Sequence, residues 1–131
     1  MTFIAKNLEN IRCDCMQDYC PYCSRKFNID FEFITFQSKS EWKKEVEMIR
    51  IMEKYGRGFA RVYWYLDDPT SIYLDSLGVI ESYRNNGLGR KLQEMREEIG
   101  RTKGATHSYL FVLKGSWMEE WYKRRGYSYY K

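Results

Sequence analysis

Two groups of residues have the types and spacing to do chemistry. The first is Arg84-x-x-Gly87-x-Gly89, followed at once by Arg90 and overlapping an apolar series, Leu88, Leu92, Met95 and Ile99, at helical spacing. Two glycines let a backbone approach a bulky ligand, and the free N–H groups at a helix start carry the positive end of the helix dipole. Arg84 and Arg90 add charge suited to a pyrophosphate. The loop therefore reads as an anion site, although Asn85-Asn86-Gly87 taken alone is also ordinary surface-turn chemistry. It has neither the Gly-x-Gly-x-x-Gly order of a dinucleotide turn nor the Lys-Ser/Thr of a phosphate loop.

The second group is Cys13-x-Cys15-x4-Cys20-x2-Cys23, four soft ligands in a short polar segment. Four thiolates can close a tetrahedral zinc site and pin down a stretch too short for its own core. Structural zinc on Cys13, Cys15, Cys20 and Cys23 is the leading expectation, ahead of free or redox-active thiols and then disulfides. Cys20-Pro-Tyr-Cys23 also has the form of a redox motif, but the strand and helix that such a motif needs are missing around it. His107 opens a strand and is given no role. Lys123-Arg124-Arg125 falls in the last turn of a helix, where the dipole favours cations.

These groups need elements to position them. Ile29–Phe36 alternates and predicts a strand. Ser38 with Glu41 has capping-box spacing, and Trp42, Val46, Ile49 and Met52 recur at helical intervals, predicting an amphipathic helix over 39–55. Phe59–Leu66 and Ser71–Val79 predict two strands paired as a hairpin across Asp67-Asp68-Pro69-Thr70. A helix from Leu88 ends at Gly100, and a strand over 108–113 follows. Ser116 with Glu119 caps a last helix carrying Trp117, Trp121 and Tyr122, which stops at Gly126 before a short terminal strand. That order indicates an α/β domain with a mixed sheet.

With 131 residues the chain suits one compact domain. Aromatic content of 18% suggests buried rings as much of the core. The net charge of +4 suits a polyanionic ligand but is too small for a DNA-binding surface, and it is spread among 18 acidic residues. The opening residues have no long apolar stretch, so the expectation is a cytoplasmic protein with no membrane span. The cysteine crowding sets residues 1–27 apart as an N-terminal lobe, with 28–131 as the main domain.

The run from Leu74 to Leu92 resembles the central motif of the GNAT superfamily of N-acetyltransferases: a strand ending in Val79, a short loop, then Arg84-x-x-Gly87-x-Gly89 opening a helix. Gly104 before the next strand is similar to many members, and Trp121-Tyr-Lys-Arg-Arg-Gly-Tyr127 is similar to the family's Phe-Tyr-x-x-x-Gly-Phe signature. The resemblance implies a single-domain, mostly antiparallel central sheet flanked by helices. It also implies transfer of an acetyl group from acetyl-CoA to a primary amine by direct attack. Arg84, Asn85, Asn86, Gly87, Leu88, Gly89 and Arg90 would cradle the CoA pyrophosphate, and the strand edge at Leu77 and Val79 would pair with the pantetheine arm.

Tyr122 falls on the family's tyrosine, usually assigned as the acid for the departing thiolate. A phenol, with a pKa of about 10, keeps its proton at neutral pH. Asp75, placed by alternation on one face with Tyr73, Leu77 and Val79, is a candidate base, with Glu81 a second; both also read as solvated charges. Two departures stand out. Gly115-Ser116 replaces an Asn found in many members, and only four residues follow Tyr127, where the family commonly adds a strand. The sheet edge is then abbreviated or completed by a partner subunit, which would make the protein a homodimer. The alternative function is a non-catalytic, zinc-containing binding module on the same fold.

Overall fold

The computed structural model describes residues 1–8 and 31–130. Its strands are β1 (Thr2–Asn7), β2 (Phe31–Lys39), β3 (Glu45–Glu53), β4 (Gly58–Tyr65), β5 (Asp68–Val79), β6 (His107–Val112) and β7 (Ser128–Tyr129); its helices are α1 (Leu88–Thr102) and α2 (Trp117–Lys123). The seven strands form one sheet in the order β2-β3-β4-β5-β6-β1-β7. Every pairing is antiparallel except β5 with β6. A single α/β domain with a mixed, mostly antiparallel sheet is thus what forms.

The helix expected over 39–55 does not form. The chain makes a tight hairpin instead: Ser40 N–H donates to Lys44 O (2.8 Å) and Lys43, with φ of 59°, donates to Ser40 O (2.9 Å). Glu45–Glu53 then pairs along its length with both β2 and β4. Val46, Ile49 and Met52 fit a helical period, but Ile49 and Ile51 also fit a period of two, and both face the core across from Val62 and Ala60. Two ladders of backbone hydrogen bonds and β-branched side chains outweigh the helical spacing.

A second departure lies at the amino end. Residues 1–27 read as one lobe in the sequence, yet Thr2–Asn7 runs antiparallel to β6, from Thr2↔Val112 to Asn7↔His107, and carries β7 on its outer side. The edge of the sheet on that side is β7, only 2 residues long. The sequence of β1 alternates only weakly, so no period marks it. Ile4 and Leu8 are nonetheless fully buried.

The core lies between the sheet and α1, which packs on β4 and β5. Leu88, Leu92, Met95 and Ile99 meet Ile51, Val62, Ile72 and Leu110 there. Gly100 is not the helix stop. A Cβ on it would lie 2.6 Å from Ile72 Cδ1, so glycine there allows close packing of α1 on β5, and the helix ends before Gly104, at φ of 91°. The rings divide otherwise than composition suggests. Phe31, Trp64, Tyr122 and Tyr127 are buried, whereas Tyr63, Tyr73 and Tyr109 stack across β4, β5 and β6 on the opposite, half-exposed face. Cross-strand ring pairs stabilise a sheet without being enclosed by it.

β1 is tied down by charge as well as by backbone. Lys6 Nζ donates to Glu97 Oε1 at 2.9 Å, and that carboxylate is almost wholly buried. Lys6→Met should lower unfolding free energy by roughly 3 kcal/mol, because an unpaired buried carboxylate costs more than the pair contributes. Urea titration reads this directly, and an unchanged midpoint would mean that β1 docks without the ion pair.

Candidate active site

β5 and β6 pair only at Ser71↔His107, Ile72↔Ser108 and Tyr73↔Tyr109. Beyond Tyr73 they part, so among the described residues Leu74–Val79 is bonded on one edge, to β4, and open on the other. An open edge of this kind accepts an extended chain as an added strand. At its far end the backbone turns through a 3₁₀ turn (Glu81–Tyr83) into the Arg84–Arg90 loop and α1.

A bulge shapes β5. Ala60 pairs with Leu77 but Val62 with Leu74, so Asp75 and Ser76 together oppose Arg61. The extra residue reverses the alternation. Ile72 and Leu74 face α1 before it, Leu77 after it. The shared face inferred for Tyr73, Asp75, Leu77 and Val79 is therefore broken at the bulge. Asp75 lies on the half-exposed side, where Arg61 Nε donates to its carboxylate at 3.1 Å and Arg61 also reaches Ser76 Oγ at 2.8 Å. Glu81 is exposed in the 3₁₀ turn.

The loop is built for left-handed backbone. Asn85 has φ of 67° and Gly87 φ of 79°. Asn86 Nδ2 reaches Tyr83 O (3.2 Å) and Arg84 O (3.3 Å), and Arg84 Nε donates back to Val79 O at 3.0 Å. Gly87 is the N-cap of α1, and no side chain caps that end. The first helical bond runs from Lys91 N–H to Gly87 O, which leaves the N–H groups of Leu88, Gly89 and Arg90 without intrahelical partners. No acidic residue sits in this first turn.

α2 approaches the start of α1 through Trp121. Ser116 accepts from Glu119 N–H at 3.3 Å, as the capping-box spacing predicts. A Cβ on Gly89 would lie 3.8 Å from both Trp121 and Val79, so the indole stands across from the loop. Arg125 stacks 3.6 Å from the Trp121 ring centre. Burial pushes the Arg125 guanidinium below its ordinary range, and the neighbouring Arg90 and Arg124 push it further. Glu94, which offsets part of that repulsion, has its own carboxyl raised chiefly by burial.

Tyr122 is buried, and its hydroxyl accepts from Arg96 NH2 at 2.9 Å. Arg96 has no exposed surface; NH1 donates to Ser76 O (3.1 Å) and Arg61 O (3.2 Å), the two carbonyls at the bulge, and NH2 also donates to Gln93 Oε1. Beside it Tyr127 accepts from Gln93 at 2.9 Å and meets Glu97 (3.0 Å) and Ser108 (2.8 Å). Burial, reinforced by Glu97, raises the Tyr127 hydroxyl well above its usual range. The sequence reading missed this network. Its signal is there, since Gln93, Arg96 and Glu97 border the apolar stripe of α1.

Gly89 of the 84–90 loop lies near Val79 and Trp121, Tyr122 is buried beside that indole, and Asp75 lies across the sheet from Leu77. Cys13, Cys15, Cys20 and Cys23 lie outside the described residues. Among the described residues no group of three or more His, Cys, Asp or Glu could hold a metal, and no helix is long and apolar enough to cross a membrane.

The sequence model of the acetyltransferase (GNAT) family matches residues 13–127, and the chain belongs to that family. Solved structures share the fold. A Pyrococcus furiosus protein assigned as an acetyl transferase is 21% identical, with a TM-score of 0.56 over 69% of this chain and 64% of that one. A tandem GNAT protein from the clavulanic acid biosynthesis pathway is 11% identical, with a TM-score of 0.63 over 98% and 50%. A GCN5-related N-acetyltransferase from Kribbella flavida is 13% identical, with a TM-score of 0.52 over 98% and 53%. The chain thus spans between half and two thirds of the length of these structures. No curated protein matches it.

Proposed function

We propose that the protein takes acetyl-CoA as donor and passes the acetyl group to a primary amine. The observation that carries this reading is the parting of β5 from β6 in front of an uncapped, glycine-led helix start. The residues present fit the donor. The N–H groups of Leu88, Gly89 and Arg90 suit a pyrophosphate, the neighbouring guanidinium groups of Arg90, Arg124 and Arg125 suit a polyanion, and the free edge at Leu77 and Val79 suits an amide-bearing arm. When bound, acetyl-CoA supplies an acetyl group activated as a thioester. Tyr122 holds a proton at its hydroxyl for the departing sulfur. Its oxygen accepts from a group that can only donate, so that proton is free to point elsewhere. Asp75, on the half-exposed face and paired with Arg61, is the candidate in this reading for the proton that an incoming amine sheds.

Incubation with acetyl-CoA and a panel of amines (a polyamine, a lysine peptide, a peptide amino terminus, an aminoglycoside) tests the reading by mass spectrometry. At least one amine should gain an acetyl group as CoA is released. A chain that binds CoA yet acetylates none of them would contradict the transferase assignment for those classes. No observation among the described residues favours the zinc-containing binding module.

A further inference from the structure

A buried guanidinium normally meets a carboxylate, because an isolated charge is costly to remove from water. Among the described residues Arg96 meets none. Its partners are two backbone carbonyls, an amide oxygen and a phenol oxygen, all neutral. The nearby Glu97 carboxylate is already engaged by Lys6, Gln93 and Tyr127. Arg96 Nε, also buried, has no hydrogen-bond partner among the described residues. If neutralising the bulge carbonyls were its only role, the positive charge would be an unneeded cost. A fixed, uncompensated cation is instead what a centre that develops negative charge requires.

We infer that Arg96 is a positioning residue for the transfer step, anchored on the β5 bulge and acting through Tyr122 on the departing sulfur. The inference rests on the reading given under Proposed function. Its NH1 is fixed by Ser76 O and Arg61 O, and NH2 then sets where the Tyr122 hydroxyl lies and which way its proton points. In the step itself the amine nitrogen bonds to the thioester carbonyl carbon and the carbon–sulfur bond breaks, leaving its electron pair on sulfur. Tyr122 gives its proton to that sulfur and regains one from solvent, and the amine loses one to Asp75 or to solvent. The guanidinium keeps its charge throughout and opposes the transient negative charge on the phenol oxygen. The bulge thereby links the strand that would hold the donor to the group that would release it.

The test is the titration of the CoA thiol in the bound complex, followed by the ultraviolet absorbance of the thiolate, for wild type, Arg96→Gln, Tyr122→Phe and the double variant. Arg96→Gln should raise the thiol midpoint by about one pH unit with Tyr122 present and should shift it little in the Tyr122→Phe background. In turnover, kcat should fall at least about tenfold while KM for acetyl-CoA changes little. Arg96→Lys, which keeps a buried cation, should lie between the two and serves if the glutamine variant does not fold. An unchanged thiol midpoint, or equal effects of Arg96→Gln with and without the Tyr122 hydroxyl, would make Arg96 a structural residue only and overturn the inference. Wild-type protein that binds no CoA would instead remove the functional reading itself.

Discussion

Gly87→Val should weaken CoA binding by at least about 100-fold, equivalent to about 2.7 kcal/mol, while leaving the protein folded. Gly87 sits at φ of 79°, a region in which a β-branched residue is strained. No atom lies within 4 Å of the added Cβ, so the penalty is conformational and not a clash. Backbone strain of this kind costs about 1–3 kcal/mol, and the exposed loop can shed it by changing course. Doing so re-aims the N–H groups of Leu88, Gly89 and Arg90, which are the cradle itself. Gly104→Val is the matched control, because it also sits at positive φ with no atom within 4 Å of an added Cβ, but lies past the other end of α1. Calorimetry and thermal melts on both variants check this. Full CoA affinity in Gly87→Val would place the pyrophosphate elsewhere.

Tyr122→Phe should lower kcat by about 100-fold or more with acetyl-CoA affinity nearly unchanged, the pattern of a group that acts only as bonds change. The substitution removes one oxygen from a buried site and keeps the ring packed against Trp121 and Tyr127. It also leaves one Arg96 N–H unpaired, so unfolding free energy should fall by about 1–3 kcal/mol. Rates therefore have to be compared well below the melting temperature. An unaltered kcat would show that the leaving sulfur takes its proton from solvent.

Much of this site is legible without any coordinates. The Arg84–Arg90 loop is local in sequence, and its glycine, asparagine and arginine residues mark it as a turn suited to an anion. Tyr122 is reachable from its place before Gly126, which ends α2 at φ of 96°. What escapes depends on long-range pairing. β3 carries residues that satisfy both periods, and only its position between β2 and β4 decides the matter. β1 pairs with a strand about a hundred residues away, so nothing in its own six residues announces it. The bulge at Asp75 and Ser76 likewise arises from the match between two strands, and it alone separates Asp75 from Leu77. Arg96 follows from the bulge. Once two carbonyls turn toward α1, a long donor side chain in the apolar stripe ceases to be an anomaly.

The most direct measurement is a calorimetric titration of the purified protein with acetyl-CoA. Micromolar binding that saturates near one site per chain is expected. No detectable heat at millimolar ligand would contradict the placement of a CoA-type donor between β5 and β6.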